Sequence, residues 1–181
     1  MDIDTDIRAT AAGNQAAFAR IVEAYQHRLF GYLGRMGLDR ATAEDIAQET
    51  LLRVWRNAGR FDPRLSSLAT WILTIARNLA LNHLSRPMRR SEITMGEAPV
   101  DIRSDLPLPD EAYAAKQRQA RLQVALSHLS PADRSLLAAS YVEGLDLTEI
   151  ARIEACSPGA AKVRLHRARN RLRQLLENDD G

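Results

Sequence analysis

Residues 157–173 can fold in few ways, because their apolar and basic side chains follow the period of an α-helix. The apolar side chains, continued by one further leucine, lie on one stripe of that helix: Ala161, Leu165, Ala168, Leu172 and Leu176. Seven lysine, arginine and histidine side chains lie outside the stripe, and the segment has no acidic residue to pair with them. The pattern predicts a helix with one buried face and basic flanks that suit a polyanion. The alternative is a basic helix end that only complements the helix dipole.

Capping signals divide the last third of the chain into helices. Each signal is a serine followed by proline, or an aspartate with a glutamate three residues later: Ser130 and Pro131, Asp146 and Glu149, Ser157 and Pro158. Gly144 ends the first of these helices. The short helix predicted over residues 147–154 is joined to the basic helix by a turn of about three residues. This order predicts a helix-turn-helix whose second helix enters the major groove of DNA.

Two amphipathic helices are predicted in the first half of the chain. The first ends at Gly37 and buries one stripe: Phe18, Val22, Tyr25, Leu29, Leu33 and Met36. The second ends at Gly59 and buries Ala43, Ile46, Ala47, Thr50 and Val54. Its opposite surface carries Asp45, Gln48, Glu49 and Leu52. That surface is either a solvated helix face or a docking patch for another protein, and an exposed leucine beside carboxylates favours the patch.

A third helix follows the turn "RFDPRLSS", where Ser67 is the expected N-cap. Its apolar arc is broad enough to be buried on more than one side. The remaining strip, with Arg77 on its flank, consists of Trp71, Thr74, Asn78, Asn82 and Ser85. Rings stack on bases, amides read base edges and arginines hold phosphates, so the strip suits single-stranded nucleic acid. Taken alone, Trp71 is more typical of a partly buried core residue.

The segment between these two groups of helices has a different charge and composition. Residues 88–112 contain 3 basic and 6 acidic side chains, three prolines and no apolar periodicity, in a chain whose formal net charge is +2. Such a segment is typical of a solvated, extended connector. We therefore predict an all-α fold of two small helical domains, residues 1–87 and 113–181, joined by a flexible acidic linker over residues 88–112.

The residues that most often carry catalysis or bind metals are few and scattered. The single cysteine, Cys156, excludes an internal disulfide and is expected to be a small buried residue. The four histidines lack metal-site spacing, and there is no phosphate-binding glycine loop or nucleophile elbow. We therefore predict neither an enzyme nor a bound cofactor or metal. The acidic start and the lack of a membrane-length apolar run favour a cytoplasmic protein with no membrane contact of its own.

Three stretches of the sequence resemble bacterial RNA polymerase sigma factors of the extracytoplasmic-function (ECF) group. "AEDIAQETLLRVWRNAGRFDP" and "SSLATWILTIARNLALNHLSR" are similar to the family's region 2, and "LSPADRSLLAASYVEGLDLTEIARIEACSPGAAKVRLHRARNRLR" is similar to region 4. The motifs are long, occur in the family's order and cover most of the chain outside the linker and termini. The resemblance implies a region 2 helical bundle in residues 1–87 and a region 4 helix-turn-helix in residues 113–181. It also implies a chain that binds core polymerase and directs initiation at promoters.

The resemblance further implies roles for individual positions. The clamp helices of the polymerase β′ subunit would be bound by Asp45, Gln48, Glu49 and Leu52. The promoter −10 element would be melted and its non-template strand held by Phe61, Arg64, Ser66, Ser67, Trp71, Arg77, Asn78 and Asn82. The −35 element would be contacted as duplex by Ser157, Gly159, Ala160, Lys162, Val163, Arg164 and Arg167. The other implied partners are the polymerase β flap and an anti-sigma factor.

The helix-turn-helix departs from the family's usual pattern in its turn and at one position of its second helix. The turn usually reads Leu-Gly-Ile or similar, whereas here it is Glu154, Ala155 and Cys156. Without the glycine, either the turn differs slightly or a non-glycine residue is held near positive φ at some cost. Val163 stands where the family often has a small hydroxyl residue, which leaves the base preference at the −35 element open.

Two other functions fit parts of the sequence. A free-standing helix-turn-helix repressor or activator would bind duplex DNA tightly, as a dimer and without polymerase. It would leave the surface around Asp45 and the strip around Trp71 without a role. A helical adaptor that binds only proteins would have no salt-dependent affinity for DNA.

Overall fold

The computed structural model describes residues 3–85 and 109–178, and every regular element in these two ranges is helical. The first range contains α1 (Ile3–Ala11), α2 (Gln15–Arg35), α3 (Arg40–Asn57), a 3₁₀ turn (Ala58–Arg60) and α4 (Leu68–Ser85). The second range contains α5 (Pro109–Ser127), α6 (Pro131–Leu137), a π-helical turn (Ala138–Val142), α7 (Leu147–Ile153) and α8 (Pro158–Asn178). The all-α fold predicted from the sequence is confirmed.

The helix α1 is absent from the sequence-based prediction, which notes only an acidic start. Ile7 is buried in the core, and the Asp6 carboxylate is buried against α2. Arg20 of α2 donates its Nε–H to Asp6 Oδ1 at 3.0 Å, so the buried charge is paired. The sequence carries one weak signal for α1, the pair Ile3 and Ile7 at i,i+4 spacing. The stretch is too short to reveal a helical period.

Side-chain caps and one glycine set the ends of the helices in the first half. Three side-chain oxygens each accept a bond from the backbone N–H three residues later: Asn14 from Ala17, Asp39 from Thr42, and Ser67 from Thr70. Bonds from the backbone and hydroxyl of Thr42 hold the pKa of Asp39 below its usual value. After α2, Gly37 reverses the chain with a φ of 89°, which glycine adopts without strain. The predicted cap at Ser67 is therefore confirmed.

The second half contains the predicted helix-turn-helix, formed by α7 and α8. Asp146 Oδ1 accepts the Glu149 N–H at 2.8 Å, and Glu149 Oε2 accepts the Asp146 N–H at 3.4 Å, which completes the predicted capping box. The α8 stripe faces inward as expected, because Ala161 and Ala168 are buried and the leucines of the stripe are half-buried. The basic side chains of residues 157–173 are exposed, except that of Arg164, which is half-buried.

The turn between α7 and α8 contains a non-glycine residue at positive φ. The Cys156 N–H bonds to the Ala151 carbonyl at 2.9 Å and the Ala155 N–H to the Arg152 carbonyl at 3.2 Å, which is the Schellman pattern. That pattern places Ala155 in the left-handed region, with φ of 51°. An alanine there costs about 1–2 kcal/mol. Of the two alternatives for this turn, the one with a non-glycine residue at positive φ is confirmed. The expectation that Cys156 is buried is wrong, because its side chain is half-buried.

The two halves of the chain pack against each other and share one apolar core. The larger core cluster combines buried residues of α1–α4 with residues from the second half: Leu136, Ala138, Ala139, Ile150, Ala151, Ile153 and Ala161. A smaller cluster lies within the second half: Leu126, Leu129, Leu137 and Ala168. Contacts between the halves run mainly from α4 to α7 and from α2 to the π-helical turn. This packing brings polar residues of the two halves face to face.

Most of the predicted linker, residues 88–112, lies outside the described residues. The helix α5 begins at Pro109, so the last four residues assigned to the linker form its first turn. Proline suits that position because the N–H it lacks would have no helical partner there. The domain boundaries at residues 87 and 113 stay predictions.

Candidate nucleic-acid interface

The first half of α8 forms a basic surface. Its first turn is accessible because Gly159 and Ala160 carry little or no side chain, while Ser157 Oγ accepts the Ala160 N–H at 3.2 Å. Lys162 and Arg167 are exposed, and within the described chain neither forms an ion pair. Six of the seven predicted −35 residues are exposed here: Ser157, Gly159, Ala160, Lys162, Val163 and Arg167.

The seventh predicted −35 residue, Arg164, lies differently. Its side chain is 34% exposed and donates to Glu154 Oε2 at 3.1 Å. The helical pattern shows no acidic partner for this arginine, because the segment 157–173 has no acidic residue and the partner lies before it. Glu154 lies ten residues earlier, at the end of α7, and reaches Arg164 across the turn.

A groove between α3 and α4 is lined by part of the predicted −10 strip. Phe61 and Trp71 are in aromatic contact, with ring centroids 5.4 Å apart and planes tilted by 44°. The groove has a volume of about 320 Å³ and is lined by Arg53, Asn57, Arg60, Trp71, Ile75 and Asn78. A ring, two amides and two guanidinium groups therefore converge on one concave surface, which fits an unstacked base and its phosphates. Asn82 is exposed on α4, but it does not line the groove.

Three of the groove residues are absent from the sequence-based prediction. Arg53, Asn57 and Arg60 come from the end of α3 and from the 3₁₀ turn that follows it. The only signal in the sequence is the basic stretch "RVWRNAGR", which is also compatible with a solvated helix end. Their position beside Trp71 depends on how α3 crosses α4, which no local pattern reports.

The turn before α4 is organised by one aspartate. Asp62 Oδ1 accepts the Arg64 backbone N–H at 3.0 Å, and Arg64 Nη2 donates to Asp62 Oδ2 at 2.6 Å. These bonds from Arg64 lower the pKa of Asp62 to about 2, so the carboxylate is charged at neutral pH. The Arg64 side chain remains 87% exposed, Ser67 is exposed and Ser66 is half-buried.

Arg77 does not lie on an exposed flank of α4, as the sequence-based prediction has it. The residue is 9% exposed, and its guanidinium forms two bonds with the Glu154 carboxylate, at 2.8 and 2.7 Å. The physical reason is that α7 covers this side of α4, so the flank that helical periodicity assigns to solvent faces the other half of the chain. Its role at the −10 element stays a prediction.

The predicted docking patch lies on the outer surface of α3. Asp45 and Gln48 are exposed, and Leu52 is 46% exposed beside them. Glu49 is half-buried and accepts from Arg53 Nε at 2.7 Å. An exposed leucine among acidic and amide groups provides an apolar contact with a polar rim.

Two further observations concern the described part of the chain. Within residues 3–85 and 109–178, no three His, Cys, Asp or Glu side chains are grouped so as to hold a metal ion. None of the helices in those ranges has the length and apolarity required to cross a bilayer.

Comparison with known proteins identifies the same two regions. The family models Sigma-70 region 2 and Sigma-70, region 4 match residues 21–90 and residues 119–172. The ECF RNA polymerase sigma factor SigK of Mycobacterium tuberculosis is 32% identical over 178 residues, which cover 97% of this chain and 94% of SigK. BldN of Streptomyces coelicolor, also an ECF RNA polymerase sigma factor, is 31% identical over 173 residues; the match covers 96% of this chain but 65% of BldN.

A solved structure supports the same assignment. The sigma factor RpoE from Bartonella quintana, in complex with the anti-sigma factor NepR, superposes with a TM-score of 0.67 at 25% identity, covering 88% of this chain and 96% of RpoE. A helix-turn-helix with a basic second helix defines a DNA-binding protein. More specifically, the two matched regions and the relatives above 30% identity show that the chain belongs to the family of ECF RNA polymerase sigma factors. The resemblance stated from the sequence is confirmed, and with it a role in transcription initiation.

Proposed function

We propose that the chain directs core polymerase to promoters by assigning one promoter element to each of its domains. Residues 1–87 act as region 2, which binds polymerase and opens the −10 element, and residues 113–181 act as region 4, which binds the −35 element as duplex. The observation that supports this division most strongly is the presence of two chemically different surfaces in one chain. One is the basic α8 surface, and the other is the groove lined by Trp71.

The proposed polymerase contact is the α3 surface of Asp45, Gln48, Glu49 and Leu52. Asp45 and Gln48 are exposed there and Leu52 is 46% exposed, so the surface offers a carboxylate, an amide and an isobutyl side chain. Charged rims steer association and apolar centres provide affinity, so this surface suits the clamp helices of the polymerase β′ subunit. The second domain would in turn contact the β flap.

The groove between α3 and α4 is the proposed site for the non-template strand of the −10 element. A base that leaves the duplex would stack on the aromatic pair of Trp71 and Phe61, with Asn78 available for its polar edge. Stacking of this kind contributes about 1–3 kcal/mol per base and offsets part of the cost of strand separation. Arg53 and Arg60 join the predicted site residues as candidates for phosphate contacts.

Core polymerase would set the distance between the two DNA-binding sites, the α8 surface and the groove. Each promoter element alone offers a small number of contacts, and core polymerase would hold both domains at the spacing of the two elements. The second contact then forms at a high effective concentration, which raises affinity without any new interaction. The chain contributes binding and no covalent chemistry.

An anti-sigma factor is the proposed regulator, by analogy with the RpoE–NepR complex of Bartonella quintana. Such a protein would compete with polymerase for the surfaces of both domains. We place this competition between the anti-sigma factor and polymerase in the cytoplasm, where polymerase and DNA are found.

Replacing Arg167 by alanine tests the −35 assignment. Arg167 is exposed on α8 and, within the described residues, has no acidic partner, so its most direct role is a phosphate contact. We expect the slope of log K against log salt concentration for promoter binding by the holoenzyme to fall by about 1, because one fewer counterion is released. The slope is measured by titrating promoter fragments at several salt concentrations.

The control for this variant is Arg118→Ala, which removes the same charge from an exposed position on α5. Its slope should equal that of the wild-type chain. If Arg167→Ala and Arg118→Ala both leave the slope unchanged, α8 is not the duplex-binding helix. Tight promoter binding by the chain without polymerase would favour a free-standing repressor.

A further inference from the structure

One valine is exposed in the middle of the basic α8 surface. Val163 is 50% exposed, and among the described residues of α8 it is the one large apolar side chain that is exposed. The inward-facing stripe begins at Ala161, two positions earlier, and residues two positions apart lie on nearly opposite sides of a helix. Single exposed valines are ordinary on protein surfaces, so the role of this one depends on what surrounds it.

The residues one turn before Val163 are small. They are Gly159 and Ala160, which are exposed and carry at most a methyl group. A helical side chain lies over the turn N-terminal to its own Cα, so Val163 extends over these two residues. The first turn of α8 can therefore approach another surface closely, and Val163 is the first branched side chain on the outer face to meet that surface.

Basic side chains flank this valine on both sides. Lys162 and Arg169 lie on one side of the outer face of α8, Arg167 and Arg171 lie on the other, and all four are exposed. In a major groove, the charged flanks of a recognition helix reach the phosphates of the two strands, while the face between them meets the base edges. Val163 therefore occupies a position from which a side chain reads bases.

The arginine that follows Val163 in the chain is engaged elsewhere. Arg164 Nη2 donates to Glu154 Oε2 at 3.1 Å, and the Glu154 side chain is fully buried. Both residues belong to the helix-turn-helix, so this bond does not depend on the first half of the chain. Pairing with a buried carboxylate opposes the bidentate contact with guanine that a free arginine makes. Base reading at the centre of the outer face therefore falls to Val163.

We propose that Val163 makes −35 binding selective for a thymine, by apolar contact with the C5-methyl group of that base in the major groove. The inference rests on the proposed function, because it takes α8 as the helix that binds the −35 element as duplex. It adds the chemical group that the helix recognises and the residue that recognises it.

The chemistry of valine restricts the base it can read. Valine has no hydrogen-bond donor or acceptor, and the apolar group that unmodified DNA presents in the major groove is the thymine methyl. Against the polar edge of another base, the side chain of Val163 would displace water without replacing its hydrogen bonds. The hydroxyl residue common at this position in the family can bond to either kind of edge, so the selectivity belongs to the valine of this chain.

Replacing thymine by uracil in the −35 element tests the proposal. Uracil lacks only the C5-methyl group, so base pairing and the phosphates are unchanged. In a promoter recovered by transcription with core polymerase, each −35 thymine of either strand is replaced in turn. The holoenzyme with the wild-type chain should bind about fourfold more weakly when one particular thymine is replaced, because burial of one methyl group contributes about that factor.

Val163→Ser should abolish the difference between thymine and uracil at that position, because serine has no methyl group to make the contact. The matched control is Val124→Ser, which makes the same change at a valine that is 54% exposed on α5. Holoenzyme with this control should keep the full difference of about fourfold. Both valines are exposed, so neither change should unfold the chain.

The outcomes separate this proposal from the proposed function. If Arg167→Ala lowers the salt slope but no uracil weakens binding, α8 binds the duplex without reading a thymine methyl, and the proposal alone is overturned. An equal loss with uracil in the wild type and in Val163→Ser assigns the contact to another residue and also overturns it. A −35 element made only of G·C pairs does the same. An unchanged salt slope for Arg167→Ala overturns the −35 assignment itself, and the thymine contact with it.

Discussion

Replacing Asp45 by arginine is expected to weaken binding of the chain to core polymerase at least about 30-fold, which corresponds to about 2 kcal/mol. Asp45 is exposed on α3 next to Gln48 and Leu52, so the new side chain meets the partner and not the core. Because complementary surfaces carry opposite charges, we expect the partner surface opposite Asp45 to be basic, and an arginine there adds repulsion to the loss of attraction. The affinity is measured with purified core polymerase and a fluorescently labelled chain.

The control for Asp45→Arg is Glu177→Arg, which changes the net charge by the same amount near the end of α8. Thermal unfolding of both variants should resemble that of the wild type, because both positions are exposed. The weak binding should be confined to Asp45→Arg. Wild-type affinity for this variant would mean that polymerase docks on another surface.

Replacing Trp71 by alanine is expected to reduce opening of the −10 element about 5- to 150-fold, which corresponds to the 1–3 kcal/mol of one stacked base. The variant removes the ring that lines the groove and is paired with Phe61. Binding of the −35 element should persist, since α8 is unchanged. Strand opening is followed by permanganate reactivity of unpaired thymines in the holoenzyme–promoter complex.

Trp55→Ala is the matched control for the loss of a large ring. Trp55 is a half-buried tryptophan on α3, paired with Phe18 at 5.1 Å between centroids, and does not line the groove. Both variants should lose stability, but only Trp71→Ala should lose opening. Trp71→Phe keeps an aromatic ring and should retain most of the opening of the −10 element. Equal defects in Trp55→Ala and Trp71→Ala would assign the effect to folding and refute the base-capture role.

Local signals predict the helices and the turns because the interactions that form them are local. The capping box of Asp146 and Glu149 and the reversal at Gly37 involve residues within a few positions of each other. The apolar stripe of α8 depends only on the helical period. For the turn that lacks glycine, local signals leave two alternatives open, and Ala155, with φ of 51°, shows that the second is correct. The capping box and most of the α8 stripe lie in the stretch that resembles region 4 of the sigma-factor family.

The interface between the two halves could not be predicted in the same way. Arg77 and Glu154 are 77 positions apart, and no pattern along either helix shows that they meet. Helical periodicity assigned Arg77 to a solvated flank because a single helix does not reveal what packs against it. The groove could not be predicted for the same reason, because Asn57 lies beside Trp71 only through the crossing of α3 and α4. Pairings between elements therefore account for what sequence reasoning missed.

The division of the promoter between two domains is tested most directly by mapping transcription start sites. Core polymerase and the purified chain are mixed with genomic fragments, and the start sites are compared with those of core polymerase alone. We expect start sites that require the chain and share two upstream elements at a constant separation. Start sites that share a single element, or protection of DNA by the chain in the absence of polymerase, would contradict this expectation.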